Sequence, residues 1–275
     1  MGLFGVLFTK NYNREEGIYK DGKKEGRWVK WNEDGNKMLE GSYKDGKLDG
    51  RVTEWDGSSV KNVGHYKNGV KEGPWVSWYT DSRYLDRIEC NYKNGKKEGL
   101  YTAWYKNGQK SRELTYKDDK REGLQTDWYE NGQKMLEVNT KNGKSEGLYT
   151  GWFETGQKEK KGKYKNGKSE GIWIYWDKEG NVSRTYTYQN GEVNLITHYY
   201  KNGQKWSEGT MKDGVSHGIQ IGWYEDGREW EYSHIIEWGE LVGSMDHMKS
   251  NKDLYTNASV MSQYLKNKQK NPYEL

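Results

Sequence analysis

One cysteine, two prolines and three phenylalanines are all that 275 residues contain of these types. A single thiol, Cys90, excludes an intrachain disulfide framework and accords with a reducing, cytoplasmic setting. Two prolines exclude a polyproline spacer. No apolar run approaches the ~20 residues of a bilayer-spanning helix, so no membrane span is expected. The apolar start MGLFGVLF has no charged region before it and no small-residue cleavage site after it, so an export signal is not expected. Val6 stands where a myristoylation motif needs Ser or Thr. Charge of one sign is scarce too: 45 basic side chains face 41 acidic ones, spread along the chain, for a net +4. That balance provides no basic domain for phosphates and no basic face for lipid, so neither nucleic acid nor peripheral membrane contact is expected. With 32% hydrophobic and 31% charged residues, a large oily core is excluded as well.

What the sequence does have is 14 Trp, 23 Tyr and 35 Gly. Large amphipathic rings hold buriable area while leaving a polar tip wet. Aligned on Tyr-Lys-(Asn/Asp)-Gly, the chain repeats from Tyr19, Tyr43, Tyr66, Tyr92, Tyr116, Thr140, Tyr164, Tyr188 and Met211, about every 24 residues. Each unit has two turn slots, and Asn-Gly or Asp-Gly in them accepts the positive φ of tight hairpins. The segments between turns suit strands and are too short for ordinary helices. The expected fold is therefore all-β, an antiparallel β-hairpin solenoid of about nine repeats with no deep interior. Residues 1–18 form an apolar N-terminal cap in this reading, 19–239 the repeat domain, and 240–275 a tail. Leu254, Ala258, Met261 and Leu265 recur in that tail at the spacing of a short amphipathic α-helix, which either caps the last repeats or docks a partner.

Counted from the Gly of each (Glu/Asp)-Gly pair, position five is Trp31, Trp55, Trp78, Trp104, Trp128, Trp152, Trp176, Tyr199 and Trp223. Position three is β-branched throughout, and position one is Leu100, Leu124, Leu148 and Ile172 in later units. Alternate residues of a strand share a face, so these columns line one side, read here as the packed one with the Trp column at its core. Aromatics of opposite parity are then the binding candidates: Trp75, Tyr79, Tyr101, Tyr105, Tyr129, Tyr149, Phe153 and Trp173. Cross-strand ring stacking is the competing use of the same rings.

The strings Trp-Tyr-x-Asn-Gly-Gln-Lys at 104–110 and 128–134, followed by Tyr-Lys-Asn-Gly-Lys-x-Glu-Gly, resemble the variant class of MORN repeats found in bacterial YwqK-type antitoxin proteins. The resemblance covers residues 17–239 and implies an all-β hairpin fold with a non-enzymatic, protein-binding or neutralising role. The sequence departs from the pattern at 51–65, which is short, and at 80–91, where TDSRYLDRIECN replaces the Asn-Gly-Gln-Lys turn.

Catalysis needs unlike groups converging on one point. The histidines, at 65, 198, 217, 234 and 247, fall in different units, and no nucleophile constellation, metal motif or phosphate loop accompanies them, so neither enzymatic activity nor a metal or cofactor is expected. A carboxylate column, Glu25, Asp49, Glu72, Glu98, Glu122, Glu146 and Glu170, reads as capping each residue's own turn or pairing with a nearby Lys. A second column, Glu40, Glu89, Glu113, Glu137 and Glu208, reads in the same way. The functional expectation is a protein-interaction module, of the antitoxin or immunity kind. The alternatives are a structural scaffold joining larger particles and a glycan or cell-wall binder.

Overall fold

A computed structural model describes residues 14–79 and 82–229, together with the backbone of 234–237 and 240–244. The expected N-terminal cap and C-terminal helix lie outside the described residues. Every described element is a strand, twenty in all from Glu15–Lys20 to Glu240–Ser244. They group into two compact units, one ending at Lys168 and one starting at Ser169. Within each unit, consecutive strands pair antiparallel with their neighbours in sequence. The all-β hairpin-repeat fold is therefore observed. Its last hairpin, His234–Glu237 with Glu240–Ser244, reaches beyond residue 239.

Two irregularities recur along the repeats, the second in every one but the eighth, where Asn194 replaces the glycine. Asn94 and Gly95 sit at φ 50° and 81°, as in a two-residue turn of the primed type, whose twist matches that of the flanking strands. Four residues later the Gly of Glu-Gly also takes positive φ, 79° at Gly99 and 82° at Gly123, where a side chain would be strained. There the register jumps: Cys90 faces Tyr101 while Tyr92 faces Lys97, so Asn91 is opposed by three residues. This bulge re-aims the strand that follows.

The turns are held by their neighbours. The Asn94 amide donates to Glu72 Oε2 at 2.7 Å, Asp118 to Glu98 at 3.0 Å, Asn142 to Glu122 at 2.8 Å and Asn166 to Glu146 at 2.7 Å. The next residue's amide donates to a strand carbonyl of that same earlier repeat, as Gly143 does to Arg121 at 2.9 Å. The first carboxylate column thus caps the turn of the following repeat, which corrects the expectation that each caps its own. Hairpins bond at the other edge too: Tyr105 and Tyr129 donate their hydroxyls to the Trp128 and Trp152 carbonyls, at 2.7 and 2.8 Å, and Asn107 and Asn131 donate to Glu130 and Glu154. Glu122→Ala is expected to cost about 1 kcal/mol, the usual size of a lost cap. The faster exchange it causes should be confined to the Asn142 turn amides.

The same turns line up lysines. Lys20 lies directly across from Lys23, Lys44 from Lys47, Lys93 from Lys96, Lys117 from Lys120 and Lys141 from Lys144. All ten are exposed.

Candidate interaction face

Side chains at position two carry the packing. Trp28 and Trp75 are 2% exposed and Trp173 is 3% exposed. The Trp75 indole lies over Gly64, whose missing Cβ would be 2.2 Å from the ring. Tyr66 and Tyr92 meet it edge-on, with centroids at 5.4 and 6.0 Å. Its Nε1 donates to the His65 carbonyl at 3.1 Å, and Lys71 Nζ closes over the ring at 3.9 Å. Trp28 repeats the arrangement with Gly17, Tyr19, Tyr43 and Lys24. A glycine on one strand, a ring on the next, flanking tyrosines and an ammonium lid bury an indole in a single layer of strands.

This reverses the sequence-based assignment. Trp75 and Trp173 are interior and closed to a partner. Tyr101 and Tyr149 are half-buried on the same face, against Tyr116 and Tyr164 at 5.6 and 5.8 Å. Tyr105 and Tyr129 spend their hydroxyls on the next repeat, and Phe153 is half-buried. Of the eight candidates Tyr79, at 42% exposure, is the open one. It lines a cleft of about 270 Å³ with Asp56, Val60, Lys61 and Trp78, beside the two-residue turn that closes the short unit.

Burial also weakens the acidity of the packed tyrosines. It pushes the phenols of Tyr101 and Tyr149 up to about 12, and raises those of Tyr92 and Tyr175 as well. The folded state therefore favours neutral tyrosine. This contribution is complete below the ordinary value of 10.0 and is lost as pH rises through it toward about 12. Urea unfolding across that range should show stability falling as the unfolded chain ionises first, with a late-titrating class in the tyrosinate absorbance. Tyrosines that all titrate near the ordinary value, with stability unchanged, would contradict the packing described.

The face of positions one, three and five is open along its outer row and closed in its middle, where Thr102 and Thr126 are buried. In the regular repeats of the first unit it carries three rows. Leu100, Leu124 and Leu148 form the outer row, at 52%, 52% and 51% exposure. Thr102, Thr126 and Thr150 form the middle row, and the carboxylates of Glu113 and Glu137 alternate with them as direct cross-strand neighbours. Trp104, Trp128 and Trp152 form the third row, about 13 Å from the leucines along each strand. These indoles are half-buried. Lys110 Nζ lies 5.9 Å from the ring centroids of both Trp104 and Trp128, and Lys134 is 5.8 Å from Trp152. The same lysines pair with Glu113 and Glu137. The second carboxylate column thus pairs with nearby cations, as expected; Glu89 takes Arg87 at 2.8 Å.

Column one was read as packed, and it is the exposed row. The signal lay in its place directly after the Glu-Gly glycine, where the bulge lifts the strand out of regular pairing. Among the described residues no three His, Cys, Asp or Glu side chains are grouped to hold a metal ion, and no helix is long and apolar enough to cross a membrane.

Six segments, residues 24–45, 97–118, 121–142, 145–166, 169–190 and 194–213, match the model of the MORN repeat variant family. The chain carries MORN repeats of the variant class. In five of the six, the second residue of the MORN segment is the glutamate that accepts the amide of its last residue, as Glu98 does from Asp118 and Glu170 from Asn190. One MORN unit is therefore a stretch of chain closed by its own carboxylate-to-turn hydrogen bond. The stretch between the first two matches holds the short Gly57-Ser58 turn and the bend at Arg83 and Tyr84. No curated protein sequence matches the chain significantly.

Proposed function

We propose that the chain is a non-enzymatic binding module that holds a protein partner on the open face of its first unit. The finer form of the proposal is a neutralising role of the antitoxin or immunity kind, exercised in the cytoplasm. MORN repeats are a class associated with binding proteins and membranes. The observation that carries the reading is the row Leu100, Leu124 and Leu148. Half of each aliphatic side chain is left in water, at intervals of one repeat, where a partner can bury it at about 25 cal/mol per Å². An identical set of groups repeated about every 10 Å also suits a surface better than it suits acid–base chemistry. Glycan stacking is less well served, because the faces of the Trp row are occupied by lysines.

Affinity capture with quantitative mass spectrometry tests this, comparing the wild type with a Leu100→Ser, Leu124→Ser, Leu148→Ser variant. The exposed row contributes little to folding, so the variant should stay folded. It should lose a specifically captured protein by about tenfold or more. Undiminished capture by that variant, with loss on Tyr79→Ala instead, would move the site to the cleft at Tyr79.

A further inference from the structure

The charges that balance along the sequence do not balance in space. At the Asn-Gly edge of the first unit, Lys44 and Lys47, Lys93 and Lys96, and Lys141 and Lys144 stand as exposed cross-strand pairs. Like charges directly opposite one another destabilise a hairpin, so each pair is a local cost that the fold carries again and again. Among the described residues Lys96 alone of these six makes an ion pair, with Asp118 at 3.4 Å. The Lys44–Lys47 turn carries one exposed carboxylate, Asp45, and the Lys117–Lys120 turn carries two, Asp118 and Asp119. The carboxylates beneath this edge, Glu72, Glu98 and Glu122 among them, are half-buried, with an oxygen engaged by the turn amides, while the lysines lie farther out in solvent.

We propose that this edge is a docking line for the phosphodiester backbone of nucleic acid, held without regard to base sequence. Protein interfaces are depleted in lysine, which argues against a second protein surface here. Adsorption to a membrane is aided by apolar side chains that insert, and in the turns of this edge Val70 is the one such residue. Lysine binds phosphate as a point charge and needs no fixed geometry. The three pairs stand in every second repeat, about 19 Å apart across four strands, which spans about six nucleotide steps of one strand. Each lysine pair therefore meets a phosphate at regular intervals along the backbone. The inference is independent of the protein-binding reading, which uses the open face.

Fluorescence polarisation of a labelled DNA duplex and a labelled single-stranded RNA, each titrated against salt with the full chain, tests it. The wild type should bind both at low salt with little sequence preference. Lys93→Gln, Lys96→Gln, Lys141→Gln, Lys144→Gln should weaken binding by at least about tenfold and flatten the plot of log K against log salt by about 3. Because neutral side chains relieve the cross-strand repulsion, this variant should melt no lower than the wild type, which separates lost binding from lost folding. The control Lys106→Gln, Lys158→Gln, Lys178→Gln, Lys201→Gln removes the same charge elsewhere and should stay within about threefold. Equal loss in both variants would reduce the effect to net charge and overturn the proposal. So would a wild type that ignores both nucleic acids, or one that binds anionic phospholipid vesicles alone. The leucine-row variant should bind nucleic acid as the wild type does.

Discussion

Trp75→Ala is expected to remove about 3–5 kcal/mol of stability, the range for deleting a large ring from a packed site. The indole is 2% exposed, meets Tyr66 and Tyr92 edge-on, and fills the space that Gly64 leaves. Nothing behind a single layer of strands can move in to refill the hole. Trp128→Ala is the comparison to make, since that residue belongs to the column that the sequence pointed to as core. Its ring is half-buried, so the loss should be about 1–2 kcal/mol, in proportion to the area it hides. Gly64→Ala probes the site from the other side. Its Cβ would lie 2.2 Å from the Trp75 ring, and the crowding should cost about 1–3 kcal/mol. Urea denaturation of the three variants ranks them. A larger loss for Trp128→Ala than for Trp75→Ala would mean that the two faces are assigned the wrong way round.

Arg112→Met is expected to cost about 2–4 kcal/mol near neutral pH, because it strands a buried carboxylate. The Asp127 side chain is 6% exposed and receives Arg112 Nε and Nη2 at 2.8 and 2.5 Å. Gln125 Nε2 adds a third hydrogen bond at 3.1 Å, and Arg121 steadies Gln125 in turn at 3.2 Å. The hydrogen bond to Asp127 raises the Arg112 pKa above its ordinary value, so the guanidinium stays charged. Arg112 is itself nearly half exposed, which keeps the expected cost below that of a fully interior pair. Removing both charges in Arg112→Met, Asp127→Leu should recover most of the loss, since the desolvation penalty disappears with the carboxylate. A double-mutant cycle measures this. Additive single effects would show that the pair is not coupled.

This cluster marks a departure within the repeat. Position two is aromatic at Trp28, Trp75, Tyr101, Tyr149 and Trp173 and is Gln125 in the unit between, where position four becomes Asp127. The polar substitution was visible in the sequence. Its partner was not, because Arg112 lies on the preceding strand and comes opposite Asp127 only through the register that the bulge sets.

Much of the architecture was legible from local chemistry. Asn-Gly and Asp-Gly pairs name hairpin turns because few residues tolerate positive φ, and the ~24-residue period then stacks the hairpins. That positions one, three and five share a face follows from the two-residue period of any strand, and the structure keeps it. Strand parity cannot say which face is packed, however, because the choice depends on what lies on the next strand. Gly17 and Gly64 make room for Trp28 and Trp75 on one side, while the bulge glycines hold Leu100, Leu124 and Leu148 out on the other.

The sequence by itself determined the repeat, the turns, the pairing of neighbouring strands and the absence of a large oily core, since each rests on contacts within about one repeat of chain. Tertiary structure decided the rest. It chose the buried face, sent each capping glutamate to the turn about 20 residues ahead, and gathered onto one edge the lysines that the chain spaces evenly among acidic residues. The physical reason is common to all three. Stacked hairpins bring residues one period apart within about 10 Å, so side chains that are strangers in sequence become neighbours in space, and it is neighbours that exclude water, exchange hydrogen bonds and repel.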